Sequence, residues 1–104
     1  MNELEIQQVT GQFLELDADP EARRLRITLS RKAVLYKDKT QIFGEERFVE
    51  PDEVGKWQTE LVDTDNMLED THYIFEINGK SYEKYVPVAA HCHNFNDLPD
   101  VIFS

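Results

Sequence analysis

Cysteine, tryptophan, glycine and proline are all scarce in this chain of 104 residues. It has one cysteine, one tryptophan, four glycines and four prolines, and no apolar run near the ~20 residues that span a bilayer. A single cysteine excludes an intrachain disulfide, which suits a reducing compartment. The acidic start MNELEIQQV lacks the basic and apolar regions of a signal peptide, so we expect a soluble cytoplasmic protein without membrane contact.

The motifs that hold phosphates or metals are also missing. The pattern GxGxxG, the pattern GxxxxGK[ST], the nucleophile elbow and the zinc-protease motif do not occur. Residues 63–70, DTDNMLED, begin like a calcium loop, but Met67 and Leu68 stand where an oxygen ligand and a glycine are needed. We therefore expect no cofactor, and no motif here is specific enough to indicate a family.

Negative charge is concentrated in the second half of the chain. Residues 1–44 carry seven acidic and seven basic side chains, whereas residues 45–104 carry fourteen and four, which is the whole net charge of −10. Residues 45–70 are the densest part, with ten acids against Arg47 and Lys56. The first half contains a basic patch made of Arg23, Arg24, Arg26, Arg31, Lys32, Lys37 and Lys39.

This charge distribution favours a basic protein partner. An acidic surface repels nucleic-acid phosphates, so no nucleic acid is expected, but it attracts cations on another protein. We therefore expect a small non-enzymatic interaction module, such as an inhibitor, an immunity-like protein or a phage-type accessory protein. An exposed tryptophan is a frequent interface anchor, and the expected contacts are Glu45, Glu46, Glu50, Asp52, Glu53 and Trp57.

The hydrophobic pattern predicts one α+β domain over residues 1–104, with an antiparallel sheet of five or six strands. Residues 4–16 alternate with a slip near Gly11, which suggests a bulge, and residues 24–29 alternate strictly. Between them, residues 17–22 favour a turn, although Asp19 followed by Pro20 also resembles a helix start.

Two hairpins are expected. One has strands 33–37 and 40–43 around Asp38-Lys39, and the other lies in residues 72–88 around Asn78-Gly79, the preferred pair for a type I′ turn. The second hairpin should set Ile77 opposite Lys80, Phe75 opposite Tyr82, and Tyr73 opposite Lys84. Its aromatic face should pack in the core, since a domain of this size needs those rings for burial rather than for stacking on nucleic-acid bases.

One helix is expected near residues 51–63. Pro51 stands near its start, and apolar residues recur at helical spacing, namely Val54, Trp57, Leu61 and Val62. Gly55 inside this segment costs about 1 kcal/mol relative to alanine in a helix.

The segment AAHCHNF, residues 89–95, holds the one cysteine between two histidines. If the segment is extended, its histidines share one face and Cys92 lies on the other. A buried, structural Cys92 is the simplest interpretation. The alternatives are a metal site made of His72, His91 and His93, or an enzyme that uses these histidines or the thiol.

The chain ends with Val101, Ile102 and Phe103 before Ser104. Three adjacent apolar residues usually dock on the domain body or on another copy. A further alternative is therefore a self-associating assembly subunit that forms a homo-oligomer through this tail and an unpaired sheet edge.

Overall fold

Short strands with alternating burial form most of the molecule. The computed structural model describes residues 5–13, 24–77, 79–88 and 92–102. Within these ranges the strands, in chain order, are β1 (Ile6–Gln12), β2 (Leu25–Leu29), β3 (Ala33–Leu35), β4 (Gln41–Phe43), β5 (Arg47–Val49), β6 (Lys56–Val62), β7 (Tyr73–Ile77), β8 (Lys80–Lys84) and β9 (His93–Asn94). A single 3₁₀ turn, Phe95–Asp97, follows β9.

The strands form two larger sheets and one small hairpin. The first sheet has the order β6-β1-β9, the second has the order β5-β2-β7-β8, and β3 pairs with β4 alone. All pairings are antiparallel except that of β1 with β9, which is parallel. The described residues thus give a small domain of mostly antiparallel sheet, as the alternation predicts.

Both predicted hairpins are confirmed. The ladder of β7 and β8 has the expected three pairs, and Gly79 has the positive φ of 76° that the turn requires. The ladder of β3 and β4 closes around Asp38-Lys39, where Lys39 has a φ of 71° and Oδ1 of Asp38 accepts a hydrogen bond from the Thr40 amide at 2.9 Å.

The helix expected near residues 51–63 is wrong, and the described residues contain no α-helix. Residues 56–62 form β6 instead, where Trp57, Thr59 and Leu61 are buried while Lys56 and the other even-numbered positions up to 60 are exposed. This alternation has the period of two that strands require. Gly55 lies in the turn just before the strand. Its φ of 83° is in the left-handed region, which is incompatible with a helix at this position.

The core lies between the two larger sheets. β1 and β6 contribute Val9, Trp57 and Leu61 to it, and the facing sheet contributes Leu25 and Phe75 among others. The rings of Trp57 and Phe75 meet with centroids 6.2 Å apart. A second, smaller cluster joins the β3–β4 hairpin to the body through Val34, Tyr36 and Met67.

Three carbonyls on the outer edge of β6 accept hydrogen bonds. The amide of Asp52 donates to the Lys56 carbonyl at 2.9 Å, the guanidinium of Arg47 donates to the Glu60 carbonyl, and the Tyr73 hydroxyl donates to the Val62 carbonyl at 2.8 Å. A strand edge whose carbonyls are already bonded is a poor template for another strand.

The edge of β8 is covered in part by the end of the chain. The amide of Tyr85 donates to the Pro99 carbonyl at 3.0 Å, and the amide of Val101 donates to the Glu83 carbonyl at 3.1 Å. The expected docking of the tail is therefore observed for Val101. Ile102, in contrast, is 89% exposed.

No bulge forms at Gly11, because the ladder of β1 and β6 runs without a break from Ile6 opposite Val62 to Gln12 opposite Lys56. Several other expectations lie outside the described residues: those on residues 14–23, with the turn or helix start at Asp19-Pro20, and those on Asn78, His91 and Phe103. Nowhere in the described ranges is there a helix with the length and apolar character needed to cross a membrane.

Candidate functional site

The five carboxylates expected to bind a partner surround the short strand β5. Glu45 and Glu46 lie in the connection from β4 to β5, and Glu50, Asp52 and Glu53 lie in the connection from β5 to β6. All five residues are exposed. Residues 45–53 are called the acidic flank below.

Cations neutralise only part of the acidic flank. Arg26 of β2 bonds to Glu46 and, at 2.9 Å, to Glu76 of β7. The hydrogen bonds to Glu76 and Glu46 raise the pKa of its guanidinium. Arg24 lies 3.6 Å from Glu50. Arg24 and Arg26 of the basic patch therefore pair with acids of the protein itself, and so does Lys37, whose Nζ lies 3.3 Å from Oε1 of Glu5.

The other three flank carboxylates, on Glu45, Asp52 and Glu53, have no ion pair with any residue that the structure describes. Asp52 has a structural role in its turn, where Oδ1 accepts hydrogen bonds from the amides of Val54 at 3.0 Å and Lys56 at 2.9 Å. The side chains of Glu45 and Glu53 are available to a partner.

Trp57 does not belong to the surface. It is 4% exposed, stacks on Phe13 with centroids 5.8 Å apart and meets Phe95 edge-on at 5.6 Å. Its indole Nε1 is buried and has no hydrogen-bond partner among the described residues. The expectation that Trp57 anchors a partner is wrong. Trp57 lies on the inner face of β6, so its ring is packed in the core.

Two phenylalanines close to the acidic flank are exposed, whereas Trp57 is buried. Phe43, at the end of β4, is 64% exposed, and Phe48, in the middle of β5, is 52% exposed. The guanidinium carbon of Arg24 lies 5.4 Å from the centre of the Phe48 ring. Alternation within β5 explains why Phe48 faces outward. Its neighbours Arg47 and Val49 pair with the inward-facing Ile27 and Leu25, so Phe48 between them lies on the opposite face.

A cleft with a mixed polar and apolar lining opens beside the second half of the acidic flank. Its volume is about 710 Å³, and Glu50 and Asp52 line it together with Lys56. Amide and hydroxyl side chains from β1, β6 and the β9 region also line it, namely Thr10, Gln12, Gln58, Asn94 and Asn96, and Gly11, Val49 and Trp57 contribute the rest. Sheet pairing aligns three of them, because Thr10 lies opposite both Gln58 and Asn94. We call this the amide cleft.

A second cleft opens beside the first half of the flank. It has a volume of about 400 Å³ and lies between β2, the β4–β5 connection and β6. Its lining is mainly apolar, with Ile6, Leu29, Phe43 and Val62 among the contributors, while Glu45, Glu46 and Glu60 also line it. We call this the apolar cleft.

The histidines form no common site in the part of the chain that is described. Nε2 of His72 lies 2.9 Å from Oε1 of Glu83, and Nε2 of His93 lies 2.7 Å from the Pro87 carbonyl. No group of three histidine, cysteine or acidic side chains placed to hold a metal occurs within the described ranges. His91, the third ligand of the metal hypothesis, lies outside them.

Cys92 is exposed, so the expectation that it is buried is wrong. It follows the residues 89–91 that lie outside the description and precedes the two-residue strand β9.

Asp63 and Asp65, two of the acids in residues 63–70, accept hydrogen bonds from other parts of the protein. Asp63 is fully buried, accepts a hydrogen bond from the Tyr36 hydroxyl, and accepts two from Asn66, at 3.0 Å from its amide and 2.9 Å from its side chain. Oδ2 of Asp65 accepts a hydrogen bond from the Val88 amide at 3.0 Å. These two carboxylates therefore hold loops in place.

Comparison with known proteins gave no match, either to a protein-family model or to a curated protein sequence.

Proposed function

We propose that this protein is a non-enzymatic interaction module that binds a basic surface of a partner protein through its acidic flank. The observation that carries the proposal is the exposure of Phe43 and Phe48 on either side of the Glu45–Glu46 pair. Exposed aromatic side chains next to carboxylates combine the two features of a recognition surface for a cationic protein. The ring contributes burial on binding, and the carboxylates select the partner by charge.

The two contributions differ in strength and in range. Carboxylates without a cation partner attract a basic surface over roughly 8 Å at physiological salt, which speeds the encounter. A buried aromatic side chain contributes more to the lifetime of the complex. The partner should therefore associate quickly at low salt and dissociate slowly wherever Phe43 or Phe48 is covered.

A basic nucleic-acid-binding enzyme has the matching chemistry. Covering its phosphate-binding face would make this protein an inhibitor or immunity-like protein, and a phage-type accessory protein would act in the same way. Nucleic acid itself is disfavoured as a ligand, because unpaired carboxylates repel phosphates. The exposed thiol of Cys92 suits a reducing compartment such as the cytoplasm.

The test is capture of partner proteins from the native cell extract on immobilised protein, at salt concentrations rising from low to high. We expect a basic partner that is retained at low salt and lost as salt is raised. The double variant Phe43→Ser/Glu45→Gln should lose this partner.

The matched control is Leu68→Ser/Glu69→Gln. It removes an exposed apolar side chain and a neighbouring exposed acid from the loop between β6 and β7, where Leu68 is 55% exposed. This control should retain the partner. Equal retention by both double variants, or retention that salt does not affect, would contradict the proposal.

Self-association through the tail is a second candidate function. Ile102 is 89% exposed beside the β8 edge, which gives another copy of the chain an apolar contact. Sedimentation velocity tests it, since oligomers that disperse on Ile102→Ser would support assembly, whereas a monomer at high concentration would exclude it.

A further inference from the structure

The apolar cleft results from the shortness of β5. Pairing of β5 with β2 ends at Arg47 opposite Ile27, so within the described residues Thr28 and Leu29 have no strand beside them on that side. The next element across the opening is β6, from Glu60 to Val62, and both strands line the cleft. An opening with a volume of about 400 Å³ therefore leads toward Leu61 and Tyr73 between the sheets.

The occupant of this cleft should insert a side chain rather than add a strand. The carbonyls of Glu60 and Val62 on the β6 side already accept hydrogen bonds from Arg47 and Tyr73. A peptide backbone that paired with β6 would have to displace those donors, which costs free energy for each bond that is not replaced. An inserted apolar side chain gains burial without disturbing them.

The rim of the cleft selects for positive charge. Glu45 and Glu60 line the cleft and have no ion pair with any described residue. Arg47 also lines it, but its guanidinium points to Thr59 Oγ1, at 3.3 Å, and to the Glu60 carbonyl. The lining thus carries three carboxylates, on Glu45, Glu46 and Glu60, against the single cation of Arg47, so negative charge predominates at the mouth.

The exposed apolar residues at the mouth extend this contact. Ile6 is 51% exposed and Phe43 is 64% exposed, and both line the cleft. A side chain that enters would bury part of each, and its flanking residues would lie against the carboxylates. Pockets with mainly apolar linings and a few placed polar groups are the usual form of binding sites of this volume.

We propose that the apolar cleft receives a large apolar side chain, leucine, methionine or phenylalanine, flanked by lysine or arginine in an extended segment of the partner. This inference rests on the proposed function and specifies the segment that the acidic flank binds. The apolar side chain occupies the space between β2 and β6, and the flanking cations pair with Glu45 and Glu60.

The experiment uses the ¹⁵N-labelled full chain and two defined peptides. The first is acetyl-Lys-Arg-Leu-Arg-Lys-amide, and the second carries serine in place of leucine. With the leucine peptide we expect amide shifts concentrated at Leu29, Phe43 and Val62. The serine peptide should bind at least about tenfold more weakly, because a buried leucine side chain is lost.

Matched protein variants locate the contact. Ile6→Ser and Glu60→Gln should each weaken binding of the leucine peptide, the first by removing apolar surface and the second by removing a rim charge. Leu68→Ser and Glu69→Gln make the same changes outside the cleft and should leave the affinity unchanged. Thermal unfolding of each variant verifies that the fold is retained.

The outcomes separate the inference from the proposed function. Equal affinity for the leucine and serine peptides, or shifts confined to the amide cleft near Glu50, would overturn the cleft assignment while capture of a basic partner still supported the function. Absence of shifts with the leucine peptide at millimolar concentration would also overturn the assignment. The proposed function is contradicted by a different result, namely capture that does not depend on salt, or capture that does not depend on the flank residues.

Discussion

The indole of Trp57 lies directly over Gly11 of the neighbouring strand. The two residues are opposite each other in the ladder of β1 and β6, and a Cβ at position 11 would come within 2.5 Å of Cζ2 and 2.7 Å of Nε1 of the indole. The absence of a side chain at position 11 thus leaves the space that the indole occupies. Phe13 covers the ring as well, with an interplanar angle of 17°.

Substitution of Gly11 by alanine should therefore destabilise the fold by about 1–3 kcal/mol, the usual cost of overpacking a core. In a Trp57→Phe background the same substitution should cost at least about 1 kcal/mol less, because the smaller ring removes the overlap. Urea unfolding followed by circular dichroism measures the four free energies. An equal cost in both backgrounds would show that the indole is not the obstacle.

The turn before β6 gives a second test, because Gly55 and Gly79 have similar backbone angles but different surroundings. Their φ values are 83° and 76°, yet a Cβ at Gly55 would lie 2.0 Å from the Phe13 carbonyl oxygen, whereas a Cβ at Gly79 has nothing within 4 Å. Alanine at positive φ costs about 1–2 kcal/mol by itself. We expect Gly55→Ala to cost at least about 1 kcal/mol more than Gly79→Ala.

Unfolding midpoints in urea compare the two variants with the unchanged protein. Gly79→Ala serves as the control for the backbone penalty, so the difference between the variants reports the contact with Phe13. Equal midpoints would mean that the chain near Phe13 moves aside without cost.

Some local elements of this fold were predictable from the sequence. The β7–β8 hairpin follows from Asn78-Gly79, and β2 follows from the alternation that buries Leu25 and Ile27. Each depends on neighbours a few residues apart. The parallel pairing of Val9 with His93 has no local signal, since it joins distant parts of the chain.

The failed helix shows why spacing alone was ambiguous. Residues 54, 57, 61 and 62 fit a helical face, but 57, 59 and 61 fit a strand face equally well if Thr59 is counted as inward. The backbone at Gly55 excludes the helix, because its left-handed φ is typical of a turn. Burial of Trp57 follows from that choice of strand.

The site was predictable in charge but not in shape. The sequence indicated five exposed carboxylates, and their exposure is observed. The exposure of Phe43 and Phe48 depends on which face of each sheet turns outward, and that depends on how distant strands pack. The same holds for both clefts, because each is lined by strands from separate parts of the chain.

The thiol of Cys92 should react in the native state. Because it is exposed, a disulfide reagent such as Ellman's reagent should modify it fully without denaturant. The measurement is absorbance of the released thiolate with and without urea, and Cys92→Ser provides the blank. If modification required urea, Cys92 would be buried in the native protein, as free cysteines usually are.

Stability at high pH should fall because of Tyr73. Burial raises the pKa of its phenol above the ordinary value of 10.0, and the side chain is only 6% exposed. The unfolded chain therefore ionises before the folded one as pH rises. The stabilising contribution is complete below pH 10 and is lost above it, at up to about 1.4 kcal/mol per pH unit.

Urea unfolding between pH 7 and pH 11 measures this loss, and Tyr73→Phe provides the comparison. The variant lacks the hydroxyl that donates to the Val62 carbonyl at 2.8 Å, so it should be less stable at pH 7 by about 1 kcal/mol. Its free energy of unfolding should decline less steeply above pH 10 than that of the unchanged protein, so the two curves converge. Burial and the hydrogen bond to Asp63 also raise the pKa of Tyr36, so a shallower decline should persist in the variant. Parallel curves for the two proteins would show that the Tyr73 phenol ionises in the folded state as readily as in the unfolded chain.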